Sequence, residues 1–447
     1  MKERTIAAIS TPPGVGGIAV IRVSGDDAVA IVGKIFKSTK NLLDVPTHTV
    51  HYGHITDDSG EVIDEVLVTV MLAPRSFTGE NVVEIGTHGG FVASKRVMKA
   101  LIKSGAYPAG PGEFTKRAFL NGRIDLSEAE GVIDIINAKN EQAQKNALGQ
   151  ASGRLSMKIE EIRGSLVSLA ASMQVIIDYP DEELEDVTIE DIGRKCLVEK
   201  ENIEELIESS KRGKLFTEGI LTAIVGRPNV GKSSLLNILA GEERAIVTDI
   251  AGTTRDVIEE SVDLGGIILR LMDTAGIRET ADQVEKIGVE RSYESIEKAD
   301  LVLAVFDGSC PLNEQDMEIL EKTKNSKRII VINKSDIGAE VTLDGIEISA
   351  KTGMGIDKLS DTVKKMYEWG EIEKNDAPMV TNMRHIKALY KAKESLENVV
   401  AGAGNFIPSD ILSIDLCDAI DALGEITGAV VSEDIVAEIF HNFCVGK

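Results

Sequence analysis

No stretch of this sequence approaches the run of about eighteen apolar residues that a membrane-crossing helix requires, so no membrane span is expected. The opening Met1-Lys2-Glu3-Arg4 leads into too short an apolar run for a secretory signal. Cysteine is scarce. The four present (Cys196, Cys310, Cys417, Cys444) are widely spaced and lack metal-ligand pairing, which argues against a disulfide framework or a zinc site and for reduced thiols in a cytoplasm. Repeats and low-complexity tracts are absent. Positive charge is in short supply too: 49 Lys and Arg face 73 Asp and Glu, for a net charge of −24. A polyanion such as RNA meets general repulsion, so nucleic-acid contact needs a local basic patch or a second protein. Lys95, Arg96, Lys99 and Lys103 form one such patch at helical spacing, although a solvated helix face explains them more simply.

What is present is the composition of a soluble globular protein, with 43% hydrophobic and 27% charged residues. A length of 447 residues suggests two to four domains. Residues 1–118 are rich in branched apolar strand candidates (5–9, 18–23 and 62–72), with a turn signal at 57–60. Apolar residues then recur at three and four, as in Leu155, Ile159, Ile162, Leu166 and Leu169, which predicts an amphipathic helix within 126–179. Pro180 and the acidic run 181–186 break it, and a second helical stretch continues to about 214. From 219 short buried strands alternate with helices, a βα signature. After 375 helices return at 382–400, 409–423 and 433–442, the last capped by Ser432. The expected architecture is therefore multidomain α/β + α. A β-rich domain occupies 1–118 and a P-loop domain 215–375. The latter is inserted into a discontinuous helical domain, 119–214 and 376–447.

The strand at 220–225 runs into Gly226-Arg227-Pro228-Asn229-Val230-Gly231-Lys232-Ser233-Ser234 and then a helix candidate. This is a P-loop in strand–loop–helix context. Its glycines let backbone N–H groups wrap phosphates, Lys232 reaches the β- and γ-phosphates, and the Ser233 hydroxyl binds Mg²⁺. Asp273-Thr274-Ala275-Gly276 follows a strand near 267–272; its Asp supports the Mg²⁺ shell and Gly276 offers an amide to the γ-phosphate. Asn333-Lys334-Ser335-Asp336 follows a strand at 329–332, and Ser349-Ala350-Lys351 completes a base pocket. The Asp336 carboxylate accepts from guanine N1–H and N2–H₂, which adenine does not offer. Four such signals in order point to GTP. Ras-like GTPases place a water-orienting Gln after the second Gly, and an arginine finger neutralises transition-state charge. Here Ile277 follows Gly276 and can do neither.

The chain resembles the tRNA-modification GTPases called MnmE or TrmE. The matching segments are Thr11-Pro12-Pro13-Gly14 with Gly16 and Gly17, Ser76-Phe77-Thr78-Gly79-Glu80, His88-Gly89-Gly90 and Pro111-Gly112-Glu113-Phe114. To these add Arg117-Ala118-Phe119-Leu120-Asn121-Gly122, Asp249-Ile250-Ala251-Gly252-Thr253-Thr254-Arg255-Asp256 and the terminal Cys444-Val445-Gly446-Lys447. The resemblance implies K⁺ beside the phosphates, held by Asn229 and by oxygens of Thr248, Ile250 and Thr253. It implies Thr254 as the second Mg²⁺ hydroxyl and Glu285 as the acid that orients water. In the first domain it implies a site for 5-formyl- or 5,10-methylene-tetrahydrofolate formed by Arg22, Glu84, Arg123 and Lys447. Arg123 stands where some relatives carry Lys.

The glycine turns at 14–17 and 86–90 approach an anion or flat ring on one view and are simple tight turns on the other. Cys444 is either a nucleophile or a neighbour of the folate, and lipidation of the terminal four residues is rejected. The resemblance further implies a cytoplasmic homodimer in a heterotetramer or larger complex with an FAD- and NADH-using partner of the MnmG/GidA type. The pair would install an aminomethyl or carboxymethylaminomethyl group at C5 of the wobble uridine of certain tRNAs. This chain carries no dinucleotide fingerprint of its own, in keeping with a flavin on the partner. The rival classes are a regulatory or ribosome-assembly GTPase switch and a catalytically idle scaffold.

Replacing Asp336 with Asn exchanges an acceptor for a donor at the guanine edge. A hydrogen bond to a charged group is worth about 1.5–3 kcal/mol, or about ten- to a hundredfold in affinity. The expected result for Asp336→Asn is a loss of GTP affinity of that order and a gain for XTP, measured by nucleotide titration. Unchanged GTP affinity with no gain for XTP contradicts the assignment.

Overall fold

The structure is a computed structural model, and it describes residues 4–179, 188–239, 241, 260–272, 295–338, 340–367, 378–405, 407–441 and 443–446. The chain divides into two compact units. One comprises Met1–Ile133, Gln150–Glu199 and Lys391–Lys447; the other comprises Asp134–Gly149 and Lys200–Tyr390.

In the first unit, strands β1 (Ile6–Ile9), β2 (Ile18–Ser24), β3 (Phe36–Lys37), β4 (Thr49–Thr56), β5 (Val62–Met71), β6 (Val82–His88) and β7 (Tyr107–Pro108) form one sheet. Their order is β3-β4-β5-β6-β2-β1-β7, antiparallel throughout except for the β1–β7 pair. Alternation sends Val66, Val68 and Val70 of β5 to one face, the period-two pattern of a half-buried strand. There they share a core with Val29, Ile31 and Val32 of the helix Ala28–Ile35 and with Val97 and Leu101 of the helix Phe91–Ser104.

The turn at 57–60 forms as expected. Gly60 N–H donates to Asp57 O at 3.0 Å, and the Asp57 carboxylate accepts from the N–H groups of Ser59 and Glu61, each at 3.0 Å. That turn also accounts for part of the basic helix face: Arg96 lies 3.6 Å from both Asp57 and Glu61, and Lys103 lies 2.8 Å from Asp58. Such surface pairs add little stability, because water and salt screen them. They do neutralise much of the patch, which supports the simpler view of it. The two glycine turns pair with each other: Gly16 N–H donates to Gly89 O at 3.0 Å and Gly89 N–H to Gly17 O at 3.3 Å. A Cβ on Gly89 would sit 2.3 Å from Gly16 O, so the close backbone approach itself requires glycine there.

The predicted helical stretch is three helices rather than one: Leu126–Asn137, Glu141–Ala151 and Arg154–Asp178. Gly153, at φ +83°, separates the last two. The long helix buries Leu155, Ile159, Ile162, Leu166 and Leu169, the residues picked out by spacing, and packs on the helix Ser409–Thr427. The Ser432 hydroxyl accepts from Ile435 N–H at 3.4 Å at the start of the helix Glu433–His441, as expected of a cap. Pro180 and the acidic run 181–186 lie outside the described residues.

In the second unit, β8 (Ile220–Val225), β9 (Glu260–Asp263), β10 (Ile268–Leu271), β11 (Leu301–Asp307), β12 (Arg328–Asn333) and β13 (Ile346–Glu347) are ordered β13-β12-β11-β8-β10-β9. All neighbours are parallel except β9, which runs antiparallel to β10. β11 is buried along its whole length, as a central parallel strand covered on both faces should be. Register places Ala304 opposite Val225 and Asp307 opposite Asn333. The carboxyl ends of β8, β11 and β12 therefore lie together, the edge at which open α/β sheets bind ligands. Among the described residues no helix is long and apolar enough to cross a membrane, and all four cysteines are free thiols.

Candidate functional site

At the end of β8 the chain leaves the sheet at Gly226, where a Cβ would meet Val305 O at 2.5 Å. It then turns through Asn229 at φ +66° and Gly231 at φ +97° and enters the helix Lys232–Leu239. Asn tolerates the left-handed region because its short amide bonds locally, and Gly has no Cβ to clash. This is the backbone of an anion-binding nest at a helix N-terminus. Lys232 Nζ donates to the carbonyls of Gly226 at 2.6 Å and Arg227 at 2.9 Å, so the ammonium sits over the loop. Burial lowers its pKa from the ordinary lysine value because desolvation penalises the cation. An anionic ligand relieves that penalty. Asn229 and Ser234 are exposed, Val230 is buried, and Ser233 lies exposed in the first turn of the helix.

Asn333, at the end of β12 and 2% exposed, joins two loops. Its Nδ2 donates to Val230 O at 2.8 Å and its Oδ1 accepts from Ala350 N–H at 2.9 Å. The phosphate loop is thus fastened to the Ser349-Ala350-Lys351 segment. Lys334 adopts φ +67°, and its Nζ lies 2.6 Å from Asp307 Oδ2 at the end of β11. Burial pushes the Asp307 carboxyl up, but Lys334 together with the Ser309 hydroxyl and N–H outweighs it and holds the group below the usual carboxylate range. Ser335 N–H donates to Ile348 O at 3.1 Å, which leaves Asp336 exposed beside the base loop. Ser349 is fully buried and Lys351 exposed. Thr248, Ile250, Thr253, Thr254, Asp273, Gly276, Glu285 and Lys447 lie outside the described residues.

A second cluster forms in the amino-terminal sheet. Arg22 of β2 and Glu84 of β6 are register partners, with Arg22 Nε 2.9 Å from Glu84 Oε1. The Arg22 guanidinium also lies 5.7 Å from each of the Phe77 and Phe114 rings. The carboxyl-terminal segment reaches this point. Pro111 bridges Val445, Gly112 N–H donates to Cys444 O at 3.2 Å, and Gly446 O accepts from Ser10 Oγ at 3.1 Å and Arg22 Nη1 at 3.4 Å. Gly446 sits at φ +96° where a Cβ would lie 2.8 Å from Ile9 O, so only glycine fits. Cys444 is exposed there. Arg123 donates to Ser76 O, which brings it to the same segment as Phe77.

Three pairings escaped the sequence, although Arg117, Glu80 and Glu113 all lie in segments it singled out. Arg117, 6% exposed, donates to both Glu80 oxygens at 3.1 Å, to Glu113 at 3.1 Å and to Arg4 O at 2.7 Å. Asp307 holds Lys334, and Asp316 sits 3.2 Å from Arg227. The pairs Arg117–Glu80, Asp307–Lys334 and Arg227–Asp316 join residues from separate elements. Of the other two pairs, Asp307 gave a signal, a carboxylate closing an otherwise apolar strand.

Fold and loops together define a P-loop guanine-nucleotide-binding protein. The family model described as "MnmE helical domain" matches residues 126–444, and that described as "GTP-binding protein TrmE N-terminus" matches residues 5–123. The chain is similar to the tRNA modification GTPase MnmE of Lachnoclostridium phytofermentans, at 48% identity over 459 residues and the full length of both chains. It is equally similar to those of Ligilactobacillus salivarius (48% over 455 residues, 99% of this chain and 98% of the relative) and Geobacillus thermodenitrificans (48% over 457 residues, 99% of each). The chain belongs to the MnmE (TrmE) family of GTPases.

Gly231→Ala tests the site's geometry. The new Cβ would lie 2.2 Å from Asn333 Nδ2, at a φ that costs a non-glycine residue about 1–3 kcal/mol. Titration with a fluorescent GDP analogue should show affinity reduced about five- to a hundredfold or more. Wild-type affinity contradicts the arrangement.

Proposed function

We propose that this chain hydrolyses GTP with Mg²⁺ and K⁺ and, together with an FAD-dependent partner of the MnmG/GidA type, modifies tRNA. The product is an aminomethyl or carboxymethylaminomethyl group at C5 of the wobble uridine (position 34) in certain tRNAs, with a tetrahydrofolate as one-carbon donor. The observation that carries this is the meeting of Arg22, Glu84 and the terminal Cys444–Gly446 segment on the amino-terminal sheet. A GTPase acting only as a switch has no need of that second site. Within this proposal residues 119–214 and 376–447 form one helical domain interrupted by the nucleotide domain at 215–375, and the chain works as a cytoplasmic homodimer.

The residues present suit the groups proposed for them. Arg22 and Arg123 are cations matched to the carboxylates of folate, and Glu84 is an acceptor matched to N–H donors of its ring. The Asn229 carboxamide and the Ser233 hydroxyl are hard oxygen donors of the kind that K⁺ and Mg²⁺ accept. Thr248, Ile250 and Thr253 complete the K⁺ set, and Thr254 the Mg²⁺ set. When bound, the two cations supply positive charge where the phosphates become more negative. The chain's own residues do the rest: loop amides and Lys232 hold the phosphates, Asp336 selects guanine, Asn333 keeps the two loops in register, and Glu285 orients the attacking water. A net charge of −24 leaves much of the tRNA to be held by the partner.

Two measurements test this. Phosphate release from GTP should be far faster in K⁺ than in Na⁺ and should fall in Asn229→Ala toward the Na⁺ level. A positive charge supplied at this point is worth up to about 10³–10⁵ in rate. Equal rates in both salts remove the K⁺ mechanism. Calorimetric titration with 5-formyltetrahydrofolate should show binding that weakens about ten- to a hundredfold in Arg22→Ala, the loss of a charged hydrogen-bond partner. An absence of binding in the wild type returns the chain to the switch class.

A further inference from the structure

The second residue of the phosphate loop, Arg227, has no role in the functions derived above, yet its side chain is held by partners outside the loop. Its side chain is only 20% exposed, and its Nε lies 3.2 Å from Oδ2 of Asp316, whose side chain is 2% exposed. The contact is an ion pair rather than an aligned hydrogen bond, and Arg227 Nη2 donates separately to Cys310 Sγ at 2.9 Å. Asp316 is itself fixed. As third residue of the helix Glu314–Lys322 it closes a capping box, its Oδ2 accepting from Asn313 N–H at 3.1 Å while its own N–H donates to Asn313 Oδ1 at 3.0 Å. Its other oxygen, Oδ1, is buried without a hydrogen-bond partner among the described residues. A buried carboxylate in that state depends on its neighbouring cation.

We infer that Arg227 is a positioning residue for the nucleotide site, tying the entry of the phosphate loop to the capping box at Asp316 and so holding the two carbonyls on which Lys232 rests. Three facts connect the pair to the phosphates. Arg227 precedes Pro228, which disfavours the helical region for its backbone and so narrows the conformations open to the loop entry. Its carbonyl, with that of Gly226, accepts from Lys232 Nζ, so a shift of Arg227 moves the ammonium's resting place. The segment ending at Asp316 begins at Asp307, which holds Lys334, so one connection after β11 braces the phosphate loop and the guanine-reading segment alike. The guanidinium is engaged by Asp316 and Cys310, so it acts through the loop backbone.

This inference rests on the guanine-nucleotide site proposed above and is tested in the full-length protein with a fluorescent GDP analogue. Asp316→Asn removes the charge while its amide oxygen can still accept from Asn313 N–H, which separates the ion pair from the cap. Arg227→Ala and Asp316→Asn should each weaken GDP binding about tenfold, mainly through faster dissociation. Arg227→Ala also lowers the melting midpoint of the nucleotide-free protein because it strips the buried Asp316 carboxylate of its cation, whereas Asp316→Asn and Arg227→Lys leave no buried charge unpaired and stay closer to wild type. Combined, they should weaken it no more than either alone, because residues in direct contact couple by about two- to a hundredfold in such cycles. Arg227→Lys, which keeps charge without the fork, should recover part of the affinity and serves as the readout if Arg227→Ala does not fold. Wild-type dissociation rates in Asp316→Asn and Arg227→Lys, or losses that multiply independently in the double variant, overturn the inference. Failure of the wild type to bind GDP instead removes the nucleotide site itself.

Discussion

A phosphate loop works only if its amides point inward and the cradle they form stays open, and here both conditions converge on Asn333. The residue is buried, with one end of its amide on Val230 O and the other on Ala350 N–H. A buried amide with a missing partner costs about 1–3 kcal/mol, so each loop holds the other in place. Gly231 is the counterpart of this arrangement, because Asn333 Nδ2 occupies the space its Cβ would need. The shape of the phosphate site and the placement of the base-reading loop are therefore one constraint, imposed where β8 and β12 end on either side of β11.

The amino-terminal unit applies the same logic over a longer span of chain. The last described residues return to the first strands, where Gly446 O receives hydrogen bonds from Ser10 and Arg22. The backbone passes close enough that glycine is required at 446. Phe443 packs with Leu126, Ala129, Val436 and Phe440 just before this point, an apolar anchor that delivers the tail to the Arg22–Glu84 pair. Charge is handled by local pairing in a chain of strongly negative balance: the Arg117 guanidinium is enclosed by Glu80, Glu113 and a backbone carbonyl, and much of the basic helix face by the acidic turn before β5.

Much of this was readable in the sequence because the signals are local. The P-loop needs its glycines within one turn, Asn333-Lys334-Ser335-Asp336 is contiguous, and Leu155 to Leu169 mark one helix face. The division of 126–179 into three helices was not readable, because left-handed Gly153 looks in sequence like any tolerated glycine. The braces were not readable either. Arg227 and Asp316, Lys334 and Asp307, Arg117 and Glu80 are each held together by the fold, and no spacing along the chain announces them. The two glycine turns were read separately, whereas the sheet makes them partners. Resemblance supplied what spacing could not, namely Arg22, Glu84 and Arg123 as one group, and the fold gathers Arg22 and Arg123 on the two adjoining residues Ser76 and Phe77.

The central claim is that Asn333, Lys232 and Asp336 belong to a single guanine-nucleotide site that cleaves a terminal phosphate. The most direct measurement is phosphate release by the purified full-length chain, compared for GTP and ATP in a potassium- and magnesium-containing buffer. The account predicts steady release from GTP and none above background from ATP. Equal release from both nucleotides, or none from GTP, would contradict it.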